Sequence, residues 1–267
     1  MTSVTGHILK MRTHHDEPVR YQLPIADEYL DVNGLIDTHI TLRFDGIINC
    51  IKCERQINKS FGQGFCYPCF RSAPEASECI LRPELCRAHE GEARDMEWAR
   101  RHCLQEHIVY LAKSSAIKVG ITRGAQVPTR WMDQGATEAI VFAKTPNRYT
   151  AGLVEVAMKA HLTDRTNWRR MLKNEIAEDD LVAIKTALTA HLDNHLHAYL
   201  SDDNLVYTFN YPVTTYPEKV SSVGFDKCPV IEGKLLGIKG QYLLLDNNRV
   251  LNIRKHQGYC IQIDDIA

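Results

Sequence analysis

The stretch HIVYLAKSSAIKVGIT, residues 107–122, decides how the middle of the chain folds. Two short apolar runs flank a tight Lys-Ser-Ser turn, which is the pattern of two adjacent β-strands. The first run carries Tyr110 and the second carries Gly120, while Arg130 and Glu155 follow on segments with helical character. A hydroxyl, a glycine that allows close backbone approach, a guanidinium and a carboxylate can together form a phosphodiester-cutting site. That is our leading hypothesis.

The segments that follow this hairpin indicate a mixed helix and strand module. A short helix is predicted around 129–134, where Gly135 is a natural terminator. The run EAIVFAK at 138–144 predicts a third strand, and apolar residues at helical spacing predict a helix over 151–162. A longer amphipathic helix is predicted to end near Leu200.

A four-cysteine motif precedes the hairpin and is the most specific chemical signature in the chain. It reads Cys50-x2-Cys53-x12-Cys66-x2-Cys69. Two Cys-x2-Cys pairs joined by a short connection place four thiolates at the corners of a tetrahedron, the geometry that Zn²⁺ accepts. Four sulfur ligands complete the coordination, so the sequence predicts a structural zinc site.

A second, more loosely spaced group of ligand-type residues follows. It reads Cys79-x6-Cys86-x2-His89-x13-Cys103, with His102 as a competitor for His89. We expect a second zinc site here. The alternative is that Cys79 and Cys103 are small buried residues, as free cysteines often are.

The composition is that of a globular protein without a membrane segment. The chain has 267 residues, 44% of them hydrophobic, and lacks an apolar run long enough to cross a bilayer. The first residues show no apolar core of a secretory signal, so the cytoplasm is the expected compartment. Nine cysteines in such a chain favour metal ligation over a disulfide framework.

The charge is distributed unevenly along the chain. Residues 107–173 contain 11 Lys and Arg and 4 Asp and Glu, a balance of +7, whereas the whole chain carries −1. The remaining residues therefore carry −8. A basic middle segment indicates an anionic partner, DNA or RNA being the commonest; the alternative is a solvated basic face without a partner.

The block from Tyr110 to about Asn174 resembles the GIY-YIG nuclease superfamily. The matching motifs are V-Y-L at 109–111 and K-V-G-I-T at 118–122, followed by Arg130 and Glu155 in order. The block is most similar to the branch whose second motif reads K-[IV]-G-x-T. The whole arrangement also resembles an uncharacterised bacterial family that joins a four-cysteine zinc knuckle to this kind of module.

The resemblance implies a role for each matching residue. A tyrosine hydroxyl of the superfamily helps to activate water, which is the position of Tyr110. Arg130 would stabilise charge on the phosphate, and Glu155 would hold one Mg²⁺ or Mn²⁺ ion. Gly120 would let backbone approach the substrate closely.

Two departures from the pattern leave other functions open. The first motif lacks its glycine, and Lys118 stands in place of the second tyrosine. Lys118 suits a phosphate contact, or proton transfer if burial lowers its pKa. His107 and His161 are alternative acid or base groups. A nucleic-acid-binding protein without catalysis, or a zinc-stabilised interaction scaffold, are the competing hypotheses.

The expected fold is α+β, with a central GIY-YIG-like three-stranded sheet and helices. A zinc knuckle precedes this module, and small β-rich, barrel-like regions of SH3 or OB type flank it. The N-terminal strands are candidates to complete the C-terminal barrel. The expected domains are a β region at 1–49, a zinc-binding region at 50–106, a GIY-YIG-like domain at 107–205 and a β region at 206–267.

Overall fold

A computed structural model describes residues 2–162 and 167–266. Contacts divide the chain into two compact units. The first unit contains residues 1–71, 132–135 and 209–267, and the second contains residues 72–131 and 136–208. Residues 1–49 and 209–267 of the expected terminal β regions therefore fall in one unit, while residues 206–208 fall in the other. The division into four domains stays a prediction.

The described residues form the following strands and helices. The N-terminal part contains β1 (Thr2–His7), β2 (Arg12–His14), β3 (Arg20–Ile25), β4 (Glu28–Asp31), β5 (His39–Asn49), β6 (Gln56–Ile57) and α1 (Tyr67–Ser72). The middle contains α2 (Met96–His102), β7 (His107–Lys113), β8 (Ile117–Arg123), α3 (Thr129–Asp133), β9 (Glu138–Thr145), α4 (Arg148–Lys159), α5 (Trp168–Leu172), α6 (Leu181–Thr189) and β10 (Val206–Thr208). The C-terminal part contains β11 (Ser221–Val223), β12 (Val230–Lys239), β13 (Tyr242–Leu245), β14 (Arg249–Asn252) and β15 (Tyr259–Ile266).

The first unit is built on an eight-stranded sheet and a three-stranded sheet. The larger sheet has the order β1-β15-β5-β12-β13-β14-β11, with β6 paired to β5, and the smaller has the order β2-β3-β4. Strand β12 shows why these segments form a sheet, because Ile231 and Leu235 are buried while Glu232 and Lys234 between them are exposed. N-terminal strands do complete the C-terminal sheet. Within the described residues its order is an open path, so no barrel closes.

The second unit is built on a four-stranded antiparallel sheet with the order β10-β9-β7-β8. Every residue of β7 is buried, as expected of a central strand. The three predicted strands are present, and Val206–Thr208 adds a fourth by pairing with β9. This strand was expected in the C-terminal β region, and three residues are too few to give a periodic signal.

Helix α4 covers this sheet and carries Glu155. Asn147 caps its first turn, because the Asn147 side chain accepts a hydrogen bond from the Thr150 amide at 2.9 Å. Ala151, Val154 and Met158 are fully buried against the core of the sheet. The long helix predicted to end near Leu200 is shorter, since α6 ends at Thr189 and a 3-10 helix follows at Asn194–Tyr199.

The α+β class is confirmed, with several sheets and helices and the four-cysteine cluster in place. None of the helices in the described part of the chain is long and apolar enough to cross a membrane.

Candidate functional site

The four-cysteine motif forms one compact group of thiols in the first unit. Cys50 and Cys53 follow β5, Cys66 precedes α1, and Cys69 lies in α1. Their sulfur atoms all lie within 4.8 Å of one another. Four thiols at this spacing can hold one zinc ion with no position left for a substrate. The predicted ligand set is thus assembled by the fold, and it suits a structural site.

The backbone around these thiols prepares them for metal binding. Gly62 and Gly64 adopt positive φ angles of +52° and +128°, which allow the chain to return to the second cysteine pair. Burial raises the pKa of the Cys50 thiol, but hydrogen bonds, chiefly from the backbone of Cys66, outweigh it and bring this pKa to about 6. The pKa of the Cys69 thiol is instead raised to about 12, chiefly by its hydrogen bond with Cys66, so the four thiols do not ionise alike. The thiolate is the form that binds zinc.

A second group of thiols lies in the second unit. Cys79, Cys86 and Cys103 place their sulfur atoms within 4.8 Å of one another. Cys86 and Cys103 are buried, and Cys103 directly follows α2. Three thiols can hold a metal ion such as zinc, so the second predicted cluster is present as a set of three cysteines.

His89, the predicted fourth ligand, is not part of this group. It lies in the 3-10 turn Ala88–Glu90, and its ring stacks on that of Tyr149 at 4.2 Å between centroids. His102 packs on Trp98 at 4.1 Å, and its Nδ1 is 2.9 Å from the Trp98 carbonyl oxygen. Both histidine rings thus pack on aromatic neighbours, and the three cysteines converge without them. A histidine as the fourth ligand stays a prediction.

A cavity of about 510 Å³ adjoins the three thiols. Cys79, Cys86 and Cys103 all line it, together with residues that include Arg94 and Trp98. A metal held by these thiols would face a space large enough for a small molecule.

Arg148, the first residue of α4, connects the three cysteines to the helix that carries Glu155. Its backbone amide donates to the Cys103 carbonyl at 2.9 Å. Its guanidinium donates to the carbonyls of Cys79 at 3.5 Å and His102 at 3.4 Å. Hydrogen bonds from Cys79 and Cys86, and then the charge of Arg148, hold the pKa of Cys103 well below its usual range. No motif or spacing in the sequence singles out Arg148.

Tyr110 and Gly120 are paired across strands β7 and β8. A Cβ atom added to Gly120 would lie 2.7 Å from the Tyr110 hydroxyl oxygen, so the hydroxyl occupies the space that glycine leaves. Tyr110 is fully buried, with its ring edge-on to Trp131 at 5.7 Å. The hairpin was expected from the sequence, but its register and the burial of Tyr110 were not. A buried hydroxyl lacks the exposure to solvent that water activation requires.

Arg130 acts electrostatically on both Lys118 and Glu155. Burial, and then the charge of Arg130, lowers the pKa of Lys118 to about 8. Burial raises the pKa of Glu155, while the charges of Lys159 and Arg130 lower it and that of Glu84 raises it. The three residues Lys118, Arg130 and Glu155 are termed the charged cluster, and their catalytic role stays a prediction.

Glu155 is the most constrained member of this cluster. Its side chain is only 9% exposed, and its Oε2 lies 3.4 Å from Lys159 Nζ. That oxygen makes no hydrogen bond to the described residues. The Glu155–Lys159 pair thus joins a buried carboxylate to a partly exposed ammonium group, so a divalent ion that binds this oxygen has to displace Lys159.

The alternative acid and base groups have structural partners. His107 is buried, its Nδ1 lies 2.8 Å from the Gln105 carbonyl, and burial lowers its pKa to about 4. The ring of His161 stacks on His191 at 4.0 Å. Asp133, three residues after Arg130 in α3, accepts from Lys10 Nζ at 2.6 Å. The nearest carboxylate of the same helix is therefore paired with another cation.

Comparisons with known proteins give one family. No curated protein and no solved structure matches the chain. One family model matches residues 37–261, a span that includes both groups of cysteines and the charged cluster. The chain therefore belongs to the family described as "Protein of unknown function (DUF2797)".

Proposed function

We propose that this protein is a zinc-stabilised, GIY-YIG-like enzyme that hydrolyses phosphodiester bonds in nucleic acid with Mg²⁺ or Mn²⁺. The observation that supports this proposal is that the charge of Arg130 acts on both Lys118 and Glu155, with Lys118 on the strand that carries Gly120 opposite Tyr110. Clusters of ionisable groups with shifted pKa values are typical of catalytic sites.

Each member of the cluster has a chemical role in this proposal. Arg130 binds the phosphate and offsets the charge that develops on it. Glu155 is the ligand for the divalent ion, since a carboxylate oxygen suits a hard cation. When bound, such an ion polarises the phosphate oxygen. Lys118 accepts the proton of the attacking water, because with a pKa of about 8 part of it is neutral near physiological pH.

Tyr110 takes a different role from the one that the resemblance implies. Because its side chain is fully buried, we assign its hydroxyl to positioning Gly120 and the hairpin rather than to water activation. Lys118, which replaces the second tyrosine of the motif, becomes the proton acceptor.

A second candidate function is nucleic-acid binding without cleavage. The burial of Tyr110 and of Glu155 favours it, because a substrate phosphate reaches neither group easily. The balance of +7 over residues 107–173 supports an anionic partner in both cases.

The test is incubation of the purified, zinc-loaded chain with labelled single- and double-stranded DNA and RNA. Parallel samples contain Mg²⁺, Mn²⁺ or a chelator. If the protein is an enzyme, we expect metal-dependent cleavage that is abolished in Glu155→Gln and in Lys118→Gln. Lys144→Gln is the matched control, since Lys144 is an exposed lysine of the same sheet.

The other outcomes identify the competing functions. Binding that weakens with salt, without cleavage under any condition, supports the second candidate. Neither binding nor cleavage leaves a zinc-stabilised interaction scaffold. Unchanged zinc content in each variant shows that a loss of activity is not a loss of fold.

A further inference from the structure

The three-cysteine group of the second unit offers one ligand fewer than zinc requires. Cys79, Cys86 and Cys103 converge within 4.8 Å, and no fourth ligand-type side chain joins them from residues 2–162 or 167–266. Protein zinc sites are almost always four-coordinate, and sites with three protein ligands use the fourth position for a water or a substrate. This ligand set therefore differs in kind from the four-cysteine group.

The surroundings of the thiols show where a fourth ligand would enter. The cavity of about 510 Å³ is lined by all three cysteines, so it reaches the metal position itself. Its wall includes the apolar side chains of Leu85 and Trp98. A space of this size exceeds what one water molecule needs and suits a small organic ligand.

The charge balance indicates which ligand class fits. Three thiolates and one Zn²⁺ carry a net charge of −1, and the Arg148 guanidinium hydrogen-bonds the carbonyls of Cys79 and His102 beside them. A cationic neighbour offsets the negative charge and limits the cost of adding another anionic donor. Zn²⁺ is a borderline-soft ion that commonly takes four sulfur ligands, so a fourth sulfur donor suits this position.

The geometry points to a second zinc centre with three cysteine ligands, Cys79, Cys86 and Cys103, whose fourth position binds the thiolate of a small molecule in the adjoining cavity. Binding breaks the S–H bond of the incoming thiol and the bond from the metal to the water of the fourth position, releases the proton and the water to the buffer, and forms a sulfur–metal bond. No oxidation state changes. His89 is not a ligand of this centre, and the centre is a ligand-binding site rather than a purely structural one.

Cobalt substitution of the full chain tests this inference. The chain is loaded with two equivalents of Co²⁺, and 2-mercaptoethanol is added while the visible d–d bands are recorded. We expect the bands of one cobalt equivalent to shift in a saturable manner. The other equivalent, in the four-cysteine group, stays unchanged and acts as an internal reference. Bands that do not respond, or a chain that binds only one equivalent, would overturn the proposal.

Variants and a second probe separate the remaining explanations. His89→Ala should respond to the thiol as the wild type does; if only His89→Ala responds, the histidine completes the site and the proposal is wrong. Cys86→Ser should lose one cobalt equivalent and the whole response, while the reference bands show that the first unit is folded. Acetate at equal concentration should leave the bands unchanged, and an equal shift would contradict the preference for sulfur.

Discussion

Gly120 shows how a single missing methyl group fixes the geometry of the candidate site. We predict that Gly120→Ala destabilises the second unit by about 1–3 kcal/mol, as overpacking of a core typically does. The added Cβ would lie 2.7 Å from the Tyr110 hydroxyl oxygen, and Tyr110 is fully buried, so its ring has little room to move. Denaturant unfolding followed by tryptophan fluorescence measures the change.

The control for this variant is Gly34→Ala, because a Cβ at Gly34 has no atom within 4 Å. It should change the free energy of unfolding by no more than about 0.5 kcal/mol. Equal effects of the two substitutions would show that the contact with Tyr110 is not what requires glycine at position 120.

Lys118 gives the predicted activity a defined pH dependence. Its pKa is lowered to about 8, and only the neutral amine accepts a proton, so the rate should rise as pH increases through about 8. Lys118→Arg keeps the positive charge but stays protonated, so it should lose at least about 100-fold in rate and lose this limb of the profile. Cleavage rates measured from pH 6 to 9 in saturating Mg²⁺, for the wild type and for Lys118→Arg, test this prediction. An unchanged profile in Lys118→Arg would remove lysine as the base.

Residue types were readable in the sequence, but their environments were not. The order of Tyr110, Gly120, Arg130 and Glu155 pointed to a candidate site because it matched the motif order of the resembled superfamily, and because a guanidinium suits phosphate and a carboxylate suits a metal ion. Burial of Tyr110 and the packing of His89 on Tyr149 arise from contacts between residues far apart in the chain. No local pattern encodes such contacts.

Among the elements, helix α4 is held by a close approach that only glycine permits. A Cβ at Gly152 would lie 2.3 Å from the backbone nitrogen of Glu84 and 2.5 Å from the carbonyl carbon of Pro83. Glu155 lies one turn further along the same face, and Glu84 contributes to its pKa. The segment between the cysteines therefore packs directly on the helix that carries the acidic residue.

We predict that Gly152→Ala destabilises the second unit by at least about 2 kcal/mol. Intrinsic helix propensity alone predicts the opposite sign, a gain of about 1 kcal/mol. The backbone of Pro83 and Glu84 cannot yield as a flexible side chain would, so the steric term should dominate. The readout is denaturant unfolding of the zinc-loaded chain.

Val156→Ala on the same helix is the matched control, because Val156 is 46% exposed. This substitution should change the free energy of unfolding by no more than about 0.5 kcal/mol. Stabilisation by Gly152→Ala would mean that α4 does not pack closely on the Pro83–Glu84 backbone.

Strands and helices with a clear periodic pattern of apolar residues were predicted from the sequence, whereas short 3-10 turns without such a pattern were not. The β7–β8 hairpin and α4 have apolar patterns that match their geometry, so their existence followed from the sequence. The 3-10 turns Pro74–Ala76, Glu78–Ile80, Pro83–Leu85 and Ala88–Glu90 have no such period. Their positions depend on the thiols and on contacts with α4.

At the scale of the whole molecule, the sheet of the first unit joins strands from both ends of the chain. Strand β5 pairs with both β12 and β15, so that Ile40 faces Gly233 and Leu42 faces Ile263. Partial alternation of apolar and polar residues identified these segments as strands, but their pairing partners lie about 200 residues away in the sequence. A single sequence contains no local signal for such a register.

The two groups of cysteines should bind metal independently, because each lies within its own unit. We predict two zinc ions per chain by elemental analysis. Cys53→Ser and Cys79→Ser should each lose one ion and retain the other. Cys228→Ser is the control, since Cys228 is exposed and outside both groups, and it should keep two. Loss of both ions from either single variant would show that the centres depend on each other.

The uneven charge of the chain predicts how nucleic-acid binding responds to salt. Residues 107–173 carry +7 within a chain of net charge −1, so attraction to phosphate should be local to this segment. If the protein contacts about four phosphates, a plot of the logarithm of the binding constant against the logarithm of the salt concentration should have a slope of about −3.6 for duplex DNA. Single strands should give a slope of about −2.8.

Fluorescence anisotropy from 50 to 200 mM salt measures this slope, and Arg169→Gln is the informative variant. Its guanidinium stacks on Trp168 at 4.3 Å and is exposed, which suits a phosphate contact outside the buried cluster. The variant should weaken binding to all sequences alike and reduce the slope by about 0.7–0.9. Binding that is insensitive to salt would mean that the basic segment does not meet a phosphate backbone. Both the nuclease hypothesis and the nucleic-acid-binding hypothesis would then be wrong, and a zinc-stabilised interaction scaffold would remain.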